Sequence, residues 1–154
     1  MKKTRLGFTL MTKSEGFTLI ELLIVIAIIG LLITISLFGL QGARESARDS
    51  KRKADLEIIR SGLELYRSDC NNYPAALPSV GSTLSGGGTP ANCSGSYIGA
   101  VPGDPTVGKN YRYARVGSTY ELCASLETQT TTNVTCGGSS NCGSSSCNYK
   151  VVSP

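Results

Sequence analysis

Gly16-Phe17-Thr18-Leu19-Ile20-Glu21 opens an apolar run, Leu22 to Phe38, whose only polar members are Thr34 and Ser36. At a rise of about 1.5 Å per residue, Phe17 to Phe38 makes a helix roughly 33 Å long, enough for a bilayer core of about 30 Å. An acid inside a spanning helix costs roughly 2.5–3.5 kcal/mol at the centre, so Glu21 marks a paired or functional position unless it merely snorkels to the headgroups. Upstream, Lys2, Lys3, Arg5 and Lys13 hold the N-terminus in the cytoplasm by the positive-inside rule. Downstream, Phe38-Gly39-Leu40-Gln41-Gly42-Ala43 puts Leu40 or Gln41 where a secretory cleavage site needs a small residue. Cleavage before the apolar run fits better.

Gly16-Phe17-Thr18-Leu19-Ile20-Glu21-Leu22-Leu23-Ile24-Val25-Ile26-Ala27-Ile28-Ile29-Gly30 resembles the class III signal of the type IV pilin and type II secretion pseudopilin superfamily. The resemblance implies a cut between Gly16 and Phe17 by a prepilin peptidase, N-methylation of Phe17 and a role for Glu21 in assembly. Gly7-Phe8-Thr9-Leu10 repeats the opening, but Met11-Thr12 replaces Ile-Glu and no apolar span follows directly, so this copy reads as a decoy. After cleavage, the Phe17 ammonium and the Glu21 carboxylate attract strongly in an apolar setting, within one helix or between neighbours. Both also lose hydration, so the pair favours one axial register more than it adds net stability. Subunits joined by such a non-closing contact form an open helical polymer.

Removal of the leader also removes most of the charge imbalance. Of fifteen Lys and Arg it holds four, and of eleven Asp and Glu only Glu15, leaving eleven bases against ten acids. The basic composition therefore gives no argument for nucleic acid. What remains beyond the membrane segment suffices for one small core.

The expected architecture is α+β and, by the resemblance, type IV pilin-like. Residues 1–16 are the cleaved leader and 17–38 the transmembrane and polymerisation helix. Residues 39–71 continue that helix outside the cytoplasm, and 72–154 form a globular loop and antiparallel-sheet domain with a disulfide-rich C-terminal loop. Leu56, Ile59, Leu63, Tyr66 and Cys70 recur at helical spacing, with Ile58 and Leu65 widening the stripe. Arg44, Arg48 and Arg52 place like charges along one face, to meet lipid phosphates, acidic neighbours or solvent. Asn71-Asn72-Tyr73-Pro74 ends the helix. A Gly/Ser/Pro-rich loop then runs to about Ser96, followed by a short strand over Tyr97–Val101. Tyr111–Val116 and Thr119–Glu127 form a hairpin across Gly117-Ser118, with Tyr113 opposite Leu122 and Tyr111 opposite Ala124. Tyr120 and Leu126 join them on the face that covers the helix, while Arg112, Glu121 and Cys123 look outward. Tyr149 to Val152 return as an edge strand.

Cys70, Cys93, Cys123, Cys136, Cys142 and Cys147 all follow the membrane segment, and six in an exported, loop-rich domain read as disulfides. The working pairing joins Cys70 to Cys93 and Cys123 to one of the last three. Zinc is the rival, but the chain has neither histidine nor Cys-x-x-Cys, so no metal and no cofactor is expected. From Thr128 to Asn148 the chain is nearly all Thr, Ser, Gly, Asn and Cys, too poor in apolar residues for its own core.

These readings point to a structural filament subunit, with self, the prepilin peptidase and methyltransferase, the membrane and the inner-membrane assembly machinery as partners. It starts as a single-pass inner-membrane protein and ends in an extracellular or periplasm-spanning filament. Val101-Pro102-Gly103-Asp104-Pro105 before Tyr111-Arg112-Tyr113 resembles the approach to the sheet in major pseudopilins of type II secretion. Those proteins carry an acidic C-terminal calcium loop, whereas after Glu127 this chain has no Asp or Glu, so that site is not carried over. A cysteine-bounded end resembles many pilins instead, and tips the expectation toward a pilus. A minor-pilin or adhesin binding module is the alternative, with Lys109, Arg112, Arg115 and Lys150 as its only support for DNA. A stable single-pass protein that never polymerises would keep its leader. Catalysis has no candidate residues: Asp104, Glu121 and Glu127 form no recognisable pair and no base stands beside the serines.

Overall fold

The computed structural model describes residues 16–129 and 133–154. The leader ahead of Gly16, including the second motif copy, lies outside the described residues. One helix, α1 (Leu19–Cys70), crosses two compact units, Met1–Leu40 and Gln41–Pro154.

In the first unit α1 is apolar on every side, and its described side chains are exposed, among them Leu22, Ile26, Leu31 and Ile35. No polar stripe sets a preferred face. Thr34 donates its hydroxyl to Leu31 O at 2.7 Å and Ser36 to Leu32 O at 2.9 Å, so the two hydroxyls of the run are satisfied within the helix. That is what a lipid-facing helix requires, because no water is available to take those protons.

In the second unit α1 becomes amphipathic and buries one stripe. Leu56, Ile59 and Leu63 are fully buried, in one cluster with Tyr73, Leu84, Ile98, Val101, Tyr120, Leu122 and Ala124. Ile58 and Leu65 do not widen the stripe; they are 54% and 58% exposed. A step of two residues turns a helix about 200°, which carries both to the side opposite Leu56 and Leu63. The helix ends at Cys70 with Asn71 left-handed at φ 58°, whose N–H still reaches Arg67 O at 2.9 Å.

Strand β1 (Leu84–Ser85), inside the segment read as loop, pairs with β2 (Ser96–Ile98), which covers the start of the strand expected over Tyr97–Val101. Ile98 seats on α1 at Gly62, where any Cβ would collide with its side chain. The main sheet, ordered β3 (Arg112–Val116), β4 (Thr119–Ala124), β5 (Tyr149–Val152), is antiparallel throughout. Tyr113 faces Leu122 and Val116 faces Thr119, the register that a two-residue turn demands, with Gly117 at φ 62°. Tyr120 packs edge-on against Tyr73, their ring centres 4.7 Å apart. Both hydroxyls donate to the Glu64 carboxylate at 3.0 Å, so the aromatic core carries its polar tips to one helix acid.

Cys123 does not face solvent. It is fully buried, because the loop after Asn133 folds over the outer face of β3 and β4. Arg112 donates Nε to Cys136 O at 2.8 Å, and the Gly137 N–H reaches Glu121 Oε2 at 2.8 Å. Backbone polar groups thus do the covering that apolar residues could not.

Candidate functional site

Gly16, Phe17 and Thr18 precede the helix in irregular backbone, and Phe17 is 88% exposed. Thr18 and Glu21 form a capping box. The Thr18 N–H and hydroxyl donate to Glu21 Oε2 at 2.8 and 2.6 Å, and the Glu21 N–H points back to Thr18 Oγ1 at 3.3 Å. Glu21 therefore has a local partner in the uncut chain: it closes the first helical turn immediately after the Gly16–Phe17 bond. The Thr-x-x-Glu spacing carried this signal, and the charge argument alone passes over it. The bond between Gly16 and Phe17 is left outside the helix. The helix that follows is long and apolar enough to cross a membrane.

Two of the three stripe arginines, Arg48 and Arg52, engage the chain's own acids, and Arg44 stays exposed. Arg52 is fully buried, with Nε 2.8 Å from Asp104, Nη1 2.7 Å from Asp49 and Nη2 2.8 Å from Glu127. Its Nη2 also donates to Thr106 Oγ1 at 2.8 Å. Arg48 holds Glu127 from the other side, with Nε 2.9 Å away. Asp49 in turn accepts the N–H groups of Glu127 and Thr128 at 2.9 and 2.8 Å and the Thr128 hydroxyl at 2.7 Å. Of the lipid phosphates, acidic neighbours or solvent offered to the stripe, Arg48 and Arg52 take instead acids from this chain's own loops, while Arg44 is exposed. Asp104 and Glu127, unpaired in the sequence reading, meet through Arg52.

Electrostatics follow from this geometry. Burial pushes the Asp49 carboxyl up, but the Thr128 hydroxyl and N–H, the Glu127 N–H and Arg52 outweigh it and hold the group at about 2. Arg48, and then Arg52, hold Glu127 at about 2 against burial. Burial pushes the Tyr111 hydroxyl up, and so does its donation to Asp55 at 2.7 Å. The network fastens two loops, Asp104–Thr106 and Glu127–Thr128, to α1; its chemistry is that of a clasp.

Lys109, Arg112, Arg115 and Lys150 are also engaged within the chain. Lys150 pairs with Glu121 at 2.8 Å, Arg115 donates to Tyr73 O at 3.1 Å and Lys109 reaches Ser125 O at 3.5 Å. Their support for DNA binding falls accordingly.

Two disulfides are formed, Cys70–Cys93 and Cys142–Cys147. The first ties the C-terminus of α1 to the segment before β2; the second closes a small ring in the C-terminal loop. Cys123 and Cys136 stand unbonded, contrary to the expectation that all six cysteines pair, and both are buried against the second disulfide. Among the described residues no group of three or more His, Cys, Asp or Glu could hold a metal ion.

Comparison with known proteins bears on both units. Residues 11–37 match the family described as the prokaryotic N-terminal methylation motif, and residues 40–132 match type II secretion system protein G. The chain belongs to the type II secretion system protein G family. Among curated relatives, the type II secretion system core protein G of Vibrio cholerae is 30% identical over 70% of this chain and 75% of its own. That of Klebsiella pneumoniae is also 30% identical, over 70% and 79%. The type IV wide pilus major component of Thermus thermophilus is 42% identical over 58% of this chain and 68% of its own length. No solved structure is a significant match. The protein G match stops before residues 133–154, which hold three of the six cysteines.

Proposed function

We propose that this chain is a structural filament subunit, inserted in the inner membrane with its N-terminus in the cytoplasm. It is cut by prepilin peptidase between Gly16 and Phe17, methylated on Phe17, and polymerised with copies of itself by an inner-membrane assembly machine. The observation that carries this reading is the contrast inside α1: from Leu19 to Ile35 it exposes aliphatic side chains all round, while Leu56, Ile59 and Leu63 are fully buried. An all-round apolar helix needs lipid or other such helices, and exchanging one for the other is what assembly from a membrane requires. A subunit of this kind is a part and not a catalyst. The protein G match and two of the relatives named above favour the pseudopilus of type II secretion over the pilus that the cysteine-bounded end suggested.

Mass spectrometry of filament protein should find methylated Phe17 at the N-terminus; an intact leader or a terminus at Phe8 overturns the processing step. Glu21→Ala should abolish or sharply reduce filaments while the second unit stays folded and disulfide-bonded. Filaments at the parental yield would leave the acid a capping residue alone. Imaging with an antibody to the second unit separates short periplasm-spanning filaments from long surface fibres.

A further inference from the structure

Cys123 and Cys136 are fully buried and share a closed cluster with the Cys142–Cys147 disulfide. Backbone contacts hold them there independently of any sulfur chemistry. Cys123 lies opposite Arg112 in the sheet register, and Cys136 Sγ sits 3.5 Å from Arg112 O. Arg112 Nε holds Cys136 O, Gly137 holds Glu121, and the turn is tight, with the Cys136 N–H 2.8 Å from Ser139 O. Gly137, at φ 57°, lies so close over Ala114 that a Cβ there would collide with it. The segment cannot drift along the strand without breaking several of these contacts at once.

We propose that Cys123 and Cys136 form a third disulfide, which clamps the C-terminal loop to the outer face of β4. The oxidant is a disulfide, either of a thiol–disulfide oxidoreductase or of a small molecule. One cysteine thiolate attacks an oxidant sulfur and expels its partner as a thiol, giving a mixed disulfide. The second thiolate then attacks the sulfur of the first cysteine and releases the other oxidant thiol. Two electrons and two protons pass to the oxidant. Burial closes the site to solvent once the loop has docked, so the exchange belongs to the stage before docking. The product supplies what the loop lacks, since the Ser/Gly/Thr-rich segment between β4 and β5 has a disulfide within itself but no cross-link to the face of the sheet.

The proposal rests on export of the second unit to an oxidising compartment, and Cys70–Cys93 is its internal control. The full chain is extracted from membranes in detergent, acid-quenched, denatured without reduction and alkylated, and its mass is compared with the reduced chain. The expected chain takes no alkyl group and is lighter than the reduced form by two hydrogens for each of three bridges. Cys136→Ser should leave one alkylatable thiol, at Cys123. In Cys142→Ser/Cys147→Ser, cleavage after glutamate should leave the peptide Leu122–Glu127 disulfide-linked to the peptide beginning at Thr128. Alkylation at both Cys123 and Cys136 with Cys70–Cys93 closed overturns this proposal alone, as do a bond from Cys123 to Cys142 or Cys147 and stoichiometric bound zinc. Alkylation at Cys70 and Cys93 as well overturns it together with the export reading.

Discussion

Leu32 and Leu63 sit in the same helix, carry the same side chain and do opposite things: one is 58% exposed, the other wholly enclosed. Around Leu32 every neighbouring turn is also apolar, and the described side chains there are exposed. Around Leu63 the apolar residues recur on one side, and Tyr120, Leu122 and Ala124 of β4 arrive to cover them. Mean hydropathy does not distinguish a surface kept for other molecules from one kept for the chain itself; period does. The charged residues show the same division, with Glu21 alone in the apolar half and Asp49, Arg52 and Asp55 drawn into the core of the other.

The strongest way to break that contrast is to remove the charge at its centre. Arg52→Ala leaves Asp49, Asp104 and Glu127 around a cavity with only Arg48 nearby, and breaking a buried ion network typically costs about 3–5 kcal/mol. Thermal or denaturant unfolding of the full chain in detergent should show that loss, with the N-terminal half of α1 unaffected. The same network sets an acid limit. The Asp49 and Glu127 carboxyls ordinarily titrate near 3.8 and 4.5 and are held at about 2 in the fold, so they stabilise it above those ordinary values. Their contribution should be complete at neutral pH and fall away from roughly pH 4.5 toward pH 2. In Arg52→Ala that acid slope should be shallower, because Asp49 and Glu127 each lose one of the partners that favour the ionised form, while Thr128, the Glu127 N–H and Arg48 remain. An unchanged slope would assign the acid sensitivity to other groups.

Much of this arrangement was legible in the residues. Alternation fixed the hairpin, down to Tyr113 against Leu122, since a one-residue slip would expose the whole face. Asn71 and Pro74 marked the helix end for reasons of backbone sterics. Charge partners were not legible, because they are set by which loops come back to the helix. Asp49 pairs with Arg52 and with backbone 78 and 79 residues along, not with Lys53 one turn away. Cys123 was misread for the same reason: strand alternation puts it on the outer face correctly, but nothing local says that a Ser- and Gly-rich loop will lie on that face. The capping role of Glu21 was legible and was eclipsed by the more conspicuous fact of an acid in an apolar run.

One matched pair of substitutions sharpens the comparison, with the second and then the smallest of these effects. Leu63→Ala removes a side chain enclosed by the sheet, and a buried leucine cut to alanine typically costs about 2–5 kcal/mol, the spread reflecting how far the cavity collapses. Leu32→Ala removes the same atoms from a position that is 58% exposed. It should change unfolding of the second unit by less than about 0.5 kcal/mol, as for other exposed sites. Its effect belongs elsewhere, in the packing of one subunit's apolar helix against another's. Both variants, in full-length chain, are measured by denaturant unfolding in detergent and by filament yield at equal expression. Leu63→Ala should lower the first and, through the folded fraction, the second; Leu32→Ala should leave the first intact. If Leu32→Ala destabilised the second unit as much as Leu63→Ala, the exposed half of α1 would be part of that unit's fold. The case for an apolar surface held ready for other helices would then fail.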